Sequence, residues 1–344
     1  MVAPMELVRR VRTVATGRLE SLPILALSVH SACNCRCVMC DIWKANREKR
    51  EISLEDLDAH VAAIQRLHVQ RVMLTGGEPL MHANLWTLCE RLRELGIRIT
   101  LVTTGLLLEA HAAAIAAVAD TVVVSLDGDE DVHDAVRRVR GGVAKISAGV
   151  AALRQQGRRP RIIARSVVQR MNMGAIGATI GTAARMGCDE ISFLAADVST
   201  AAFNRAEPWP VERITDVAPR AQELPALEHA IKYAEARWSM HFQSGFVTGG
   251  RATLDRILQY YTALAGRGPL PRVRCNAPWI SAVLEPGGTL RPCFFHEEYA
   301  AAGDLDETLN SPSAIDFRRR LDVGTNQTCQ RCVCSLDLPL TAAV

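Results

Sequence analysis

From residue 24 the chain alternates two hydrophobic rhythms. Short β-branched runs, ILALSVH (24–30), RVMLTGG (71–77), RITLVTTG (98–105), TVVVSLDG (121–128), RIIARSVV (161–168) and EISFLAAD (190–197), predict six strands. Between them, segments such as LEDLDAHVAAIQRLH (54–68) and HANLWTLCERLRELG (82–96) place apolar residues three and four apart, as an amphipathic helix requires. Ser53 stands where an N-cap belongs. A repeating βα unit predicts parallel strands, and strands this apolar are expected to be buried on both faces. The predicted fold class is therefore α/β, a barrel or partial barrel with its site at the C-terminal ends of the strands.

Past residue 200 the rhythm breaks into a stretch rich in Pro and charge, NRAEPWPVERITDVAPRAQELPAL, and then a helical pattern through LDRILQYYTALAG. From residue 275 the chain turns short-stranded, Gly-containing and Cys-rich. The expected organisation is an N-terminal extension over 1–23, a barrel over 24–200, a partly helical connector over 201–270 and a small α+β domain over 271–344. A domain of about 70 residues builds a weak core alone, so a metal centre is its expected staple.

Hydrophobic residues make up 49% of the 344 positions and charged residues 22%, the balance of a globular protein rather than a disordered one. With a net charge of +3 and basic residues scattered among acidic ones, no nucleic-acid partner is expected. The first 30 residues carry a basic stretch and an apolar run of about eight residues broken by Pro23, too short for a signal peptide. No later run reaches the roughly 20 apolar residues that span a bilayer. A cytoplasmic location is expected. In that reducing compartment eleven cysteines read as metal or cluster ligands plus free thiols rather than as disulfides.

Four of the eleven crowd into HSACNCRCVMC, where Cys33, Cys37 and Cys40 form CxxxCxxC directly after the first strand. A structural zinc takes four protein ligands, whereas a [4Fe–4S] cluster held by three cysteines keeps one iron open for an exogenous ligand. A zinc knuckle or a group of unligated thiols is the plainer reading of the motif alone. Cys35 adds a fourth thiol and permits an alternative CxCxxC set of Cys35, Cys37 and Cys40. At the tip of the second strand, LTGGEPL offers two glycines that allow close backbone approach and Glu78, which can offset an ammonium.

Taken together, these residues resemble the radical S-adenosylmethionine (SAM) enzyme superfamily over about residues 24–200, in the subgroup with a C-terminal auxiliary-cluster domain of SPASM or shortened twitch type. The resemblance implies a partial (βα)6 TIM-type barrel. It also implies that Cys33, Cys37 and Cys40 hold a [4Fe–4S] cluster whose open iron binds SAM. An electron from the cluster would cleave SAM to methionine and a 5′-deoxyadenosyl radical, which abstracts a substrate hydrogen. Met39, standing where the family usually has an aromatic residue, would lie near the adenine, and Gly76, Gly77 and Glu78 would contact the SAM amino group. In VVVSLDGDEDVHDAVRR, similar to the subgroup's SxDG and HDxxR run, Ser125 would contact SAM, while Asp127 and His133 read equally as turn residues. Arg165 would face the SAM carboxylate, with Arg170 as the competing choice. Cys35 is expected to be a small buried thiol, as an apolar residue commonly fills its place.

Cys275, Cys293, Cys329 and Cys332 come from two separated segments and would close a four-ligand site. Without the barrel, zinc would be favoured. The resemblance instead implies one auxiliary [4Fe–4S] cluster on these four, with Cys334 spare or a substitute and an electron-transfer role for the centre. Cys89 and Cys188 are expected in the core.

The implied function is oxidation or bond formation, with flavodoxin or ferredoxin as electron donor. Peptide maturases of the subgroup often carry a leader-binding domain before the barrel, and only about 30 residues stand there, so a small-molecule substrate is expected over a peptide. In CFFHEEY, His296 is a candidate base beside Glu297, Glu298 and Tyr299, which read chiefly as surface hairpin. Arg165 and Arg170 are the other catalytic candidates. The rival classes are a peptide-modifying maturase, a non-catalytic iron–sulfur carrier, and a zinc-binding nucleic-acid module; the last conflicts with the 5% aromatic content.

Overall fold

The computed structural model describes residues 2–205, 207–299 and 303–344. All six expected strands form, each beginning at its expected first residue: β1 (Ile24–His30), β2 (Arg71–Gly76), β3 (Arg98–Thr103), β4 (Thr121–Ser125), β5 (Arg161–Val168) and β6 (Glu190–Ala195). Four end before the expected last residue, where Gly and polar residues turn the chain out of the sheet. The tail adds β7 (Ser281–Leu284) and the short β8 (Leu290–Arg291). The chain divides into two compact units: Met1–Ala32, Ala45–Leu101 and Val273–Val344 form one, Cys33–Lys44 and Val102–Arg272 the other.

In the first unit β1 is central, parallel to β2 on one side and to β7 on the other, with Leu25 opposite Val72 and Ala282. β3 extends the sheet beyond β2, and β8 closes a hairpin against β7. Leu25, Ala26 and Leu27 are buried in succession, so both faces of β1 are covered. The cysteine-rich tail thus contributes strands to the sheet that contains β1.

Helix α1 (Pro4–Thr16) occupies the extension, with Pro4 at its first position and Gly17 as its left-handed C-cap. Its Arg10 is 1% exposed, paired with Glu6 at 2.8 Å and donating to the carbonyls of Leu340 and Ala342. The helix expected over 54–68 is interrupted at His60, giving α2 (Leu54–Ala59) and α3 (Val61–Arg66). Ser53 caps α2 in a reciprocal box with Asp56, at 3.0 and 2.8 Å. α4 (Leu85–Glu94) buries Leu85, Leu88, Cys89 and Leu92.

In the second unit β4, β5 and β6 run parallel. They are accompanied by α5 (Ala112–Val118), α6 (Glu130–Arg137), α7 (Gly142–Arg154) and α8 (Ile176–Met186). The segment expected as a connector forms α9 (Val211–Val217), α10 (Leu224–Arg237), α11 (Ser239–Gln243) and α12 (Gly250–Leu264). It packs as part of this unit, because the buried Tyr261 hydroxyl of α12 donates to Val168 at 2.6 Å and accepts from the Ala196 N–H at 2.8 Å. Among the described residues no helix is long and apolar enough to cross a membrane.

Candidate functional site

Within the second unit the cysteine loop is held from several directions. Its backbone N–H groups at Arg36 and Val38 donate to the carbonyls of Arg137 and Val136, at the end of α6. After β6, Arg205 forms an ion pair with Asp197 at 2.8 Å in which both side chains are 1% exposed. Arg205 also donates to the Met39 carbonyl and lies 3.8 Å from the Trp209 ring centre. Trp209 donates to Asp41 at 2.8 Å, and Arg213 donates to the Val38 carbonyl. Cys35, Cys37, Val38 and Met39 are buried among Val136, Val198 and Trp209.

Electrostatics distinguish the thiols. Cys37 is lowered below its ordinary value, first by a hydrogen bond from Cys35 and then by the Arg137 charge, against the opposing effect of burial. Cys35 is raised, first by that same bond and then by burial. Burial, followed by repulsion from Cys37, pushes Cys40 up to about 12, although its sulfur accepts the Ile42 N–H at 3.4 Å. Met39 is buried, with its sulfur 3.5 Å from Gln169 Nε2.

Ser125, Arg165 and Ser192 stand in register across β4, β5 and β6, so three polar side chains share one row. Arg165 Nε donates to Ser192 at 3.2 Å. Arg170, by contrast, is engaged with Glu223 at 2.9 and 3.0 Å. Asp127 is fully buried and accepts from Arg137, Ser166 and the Val167 N–H. His133 accepts the Asp127 N–H, and burial, reinforced by Arg137, pushes its pKa down to about 4. Asp127 and His133 therefore brace the turn between β4 and α6.

In the first unit β2 ends at Gly76, whose φ of +125° only glycine adopts readily. A Cβ on Gly76 would strike the His30 carbonyl, and one on Gly77 the Ala32 carbonyl. The close approach that demands these glycines is thus to the chain's own backbone, where Gly77 and Glu78 donate to His30 and Ala32 at 2.7 and 2.8 Å. Glu78 is fully buried and its carboxylate accepts the Leu80 N–H at 3.0 Å.

The tail gathers Cys275, Cys293, Cys329 and Cys332 around one cavity, together with His296 and Phe295. Burial is the leading cause that raises Cys293, Cys329 and Cys332, with Cys329 pushed up to about 12. His296 Nε2 lies 3.3 Å from Cys329 Sγ, so this candidate base is committed to a sulfur contact. Asn276, beside Cys275, exchanges bonds with Leu336 and Leu338 and so anchors the segment after Cys332. Glu297 and Glu298 are exposed, Tyr299 is buried against Arg318, and Cys334 is exposed. None of the eleven cysteines forms a disulfide.

Among the described residues no three His, Cys, Asp or Glu side chains close on a point that would hold a single ion. A four-iron cluster spreads its thiolates over separate irons and asks for a wider set. The thiol loop, with a guanidinium beside Cys37, and the cavity walled by four thiols fit that demand by donor chemistry. The clasp made by Arg137, Asp197, Arg205, Trp209 and Arg213 was not expected from sequence; of these, only Arg137 lies within a run that carried the family resemblance.

Residues 27–183 match the profile described as Radical SAM superfamily. The chain is 36% identical over 157 residues to a GTP 3′,8-cyclase of Xanthomonas campestris, covering 42% of this chain and 46% of the relative. It is 30% identical over 284 residues to the mycofactocin maturase MftC of Mycolicibacterium smegmatis, covering 80% of this chain and 66% of the relative. The chain spans less than half the length of the cyclases it matches. Among solved structures, Streptococcus suis SuiB bound to the precursor peptide SuiA superposes with a TM-score of 0.63 at 16% identity, covering 96% of this chain and 74% of SuiB. Native anSMEcpe with bound AdoMet gives 0.63 at 17%, covering 90% of this chain and 86% of that protein. These structural likenesses establish the shared α/β fold with its parallel strands.

Proposed function

Because residues 27–183 belong to the Radical SAM superfamily, we propose that this chain is an enzyme that cleaves SAM reductively and removes hydrogen from a substrate, with an auxiliary cluster in its tail. When bound, a [4Fe–4S] cluster with SAM at its open iron supplies the electron that yields methionine and a 5′-deoxyadenosyl radical, and an auxiliary [4Fe–4S] cluster supplies a second one-electron step. The observation that carries the reading is the environment of Cys37, a buried sulfur that receives the Arg137 guanidinium at 3.6 Å. Cys33, Cys37 and Cys40 hold the first cluster; Cys275, Cys293, Cys329 and Cys332 hold the second.

For SAM, Glu78 offsets the ammonium, with Gly76 and Gly77 shaping the β2 tip. Ser125 and Arg165 supply polar groups from their common row, Arg165 toward the carboxylate. Its competitor Arg170 is occupied by Glu223, which favours Arg165. Met39 contributes a polarizable sulfur for the adenine. A flavodoxin or ferredoxin is the electron donor. The net reaction is oxidation or bond formation. A small molecule is one substrate class. A peptide maturase is the second reading, favoured by the match to a mycofactocin maturase over 80% of this chain.

After anaerobic reconstitution, the intact chain given SAM and dithionite should form 5′-deoxyadenosine. A variant with Cys33, Cys37 and Cys40 all changed to Ala should form none and should retain about half the iron. An intact chain that binds zinc, and neither iron nor SAM, would overturn the assignment.

A further inference from the structure

The cysteine loop and the last turn of α6 are joined on both sides of Cys37. The N–H groups of Arg36 and Val38 donate to the carbonyls of Arg137 and Val136 at 3.2 and 3.0 Å, which fixes the Arg137 backbone beside the thiol. The guanidinium then divides its donors. Nε meets Asp127 Oδ2 at 2.5 Å, and Nη1 reaches Cys37 Sγ at 3.6 Å. Asp127 cannot swing away, because its other oxygen accepts from Ser166 at 3.2 Å and from the Val167 N–H at 2.8 Å. Arg137 is 8% exposed and Asp127 fully buried, so little water screens either charge. A planar fork held at one end by an immobile carboxylate points its other end in a fixed direction.

A purely structural ion pair would need only the carboxylate, yet a second donor here meets sulfur. We propose that Arg137 sets the reduction potential of the cluster ligated by Cys37, donating to that sulfur and stabilising the more negative, reduced state, while Asp127 moderates the effect. The proposal rests on Cys33, Cys37 and Cys40 as the cluster ligands. Hydrogen bonds to ligand sulfur and local charge are established levers on iron–sulfur potentials. Here the two charged residues act in opposite senses. Removing Arg137 withdraws positive charge and a donor from the reduced cluster, making reduction harder. Removing the Asp127 charge leaves the guanidinium without its neutralising partner, making reduction easier. Arg137 is a positioning and tuning residue, not a catalytic one.

The test is an anaerobic redox titration of the reconstituted full chain, followed by electron paramagnetic resonance on the reduced-cluster signal that changes when SAM is added. Dithionite supplies the single electron. Arg137→Gln should shift the potential negatively by at least tenfold in the reduction equilibrium, 59 mV for a one-electron couple. Asp127→Asn should shift it positively, and Arg137→Lys should fall between Arg137→Gln and the parent. Iron and sulfide are counted in every sample. Should Arg137→Gln lose its iron, the opposite displacements of the Lys and Asn variants carry the same test. Unchanged potentials, or shifts of one sign in Arg137→Gln and Asp127→Asn, overturn the proposal, since a merely structural role predicts no sign reversal. An intact chain with no SAM-responsive signal would overturn the ligand assignment instead.

Discussion

Cys89 in α4 and Cys188 ahead of β6 are 1% and 8% exposed, and burial pushes each thiol up to about 12. Cys334 is exposed. The thiolate is the reactive form, so an alkylating reagent at about pH 8 should label Cys334 first and leave Cys89 and Cys188 unlabelled until the chain unfolds. Peptide mass mapping checks this. The raised pKa of Cys89 also fixes a sign: its stabilising contribution is whole below the ordinary thiol value near 9 and is lost as pH rises toward 12. Cys89→Ala should therefore lessen the fall in melting temperature above about pH 9. Core thiols and the CxxxCxxC loop were legible because their signals are local, an apolar helix face or a short spacing. The residues that clasp the loop were not. Arg137, Asp197, Arg205 and Trp209 lie about 100 to 170 positions away in sequence, and only folding gives them their partners.

Helix α1 shows how a polar pattern can conceal a structural element. In sequence its basic residues read as an extension, whereas in the fold Arg10 is buried, paired with Glu6 and donating to two carbonyls of the tail. No periodicity announces such a tether, because the partners of Arg10 include residues 340 and 342. The six strands were legible to their first residue because β-branched runs recur between helices. Their ends were not, since Gly and polar residues belong equally to a strand tip and a turn. Arg10→Ala should lower unfolding free energy by about 3–5 kcal/mol, the usual cost of leaving one partner of a buried pair uncompensated. A denaturant midpoint that falls with an unchanged m-value would report that loss. An exposed substitution on the same helix, Arg12→Ala, should change stability little, since its pair with Glu20 is 3.6 Å long and its side chain is 64% exposed.

Across the whole chain, two sets of cysteines with different surroundings imply two different tasks. The first lies in a loop where a guanidinium favours anionic sulfur and where Asp41, the residue after Cys40, is held by Trp209. The second surrounds its cavity with four cysteines and one histidine. Four thiolates would complete a cluster and leave no iron for a substrate, which suits electron transfer. Changing Cys329 and Cys332 together to Ala should remove about half the iron and spare 5′-deoxyadenosine formation, because the three cysteines of the first loop are untouched. Turnover to an oxidised product should nevertheless be lost, since hydrogen abstraction alone removes only one electron from substrate. Iron counting, 5′-deoxyadenosine assay and product analysis on one sample separate these effects. Retention of oxidised product by a variant proven to lack the second cluster would exclude that cluster as the electron acceptor, and loss of 5′-deoxyadenosine with the first cluster intact would make the second centre a relay for the initial electron.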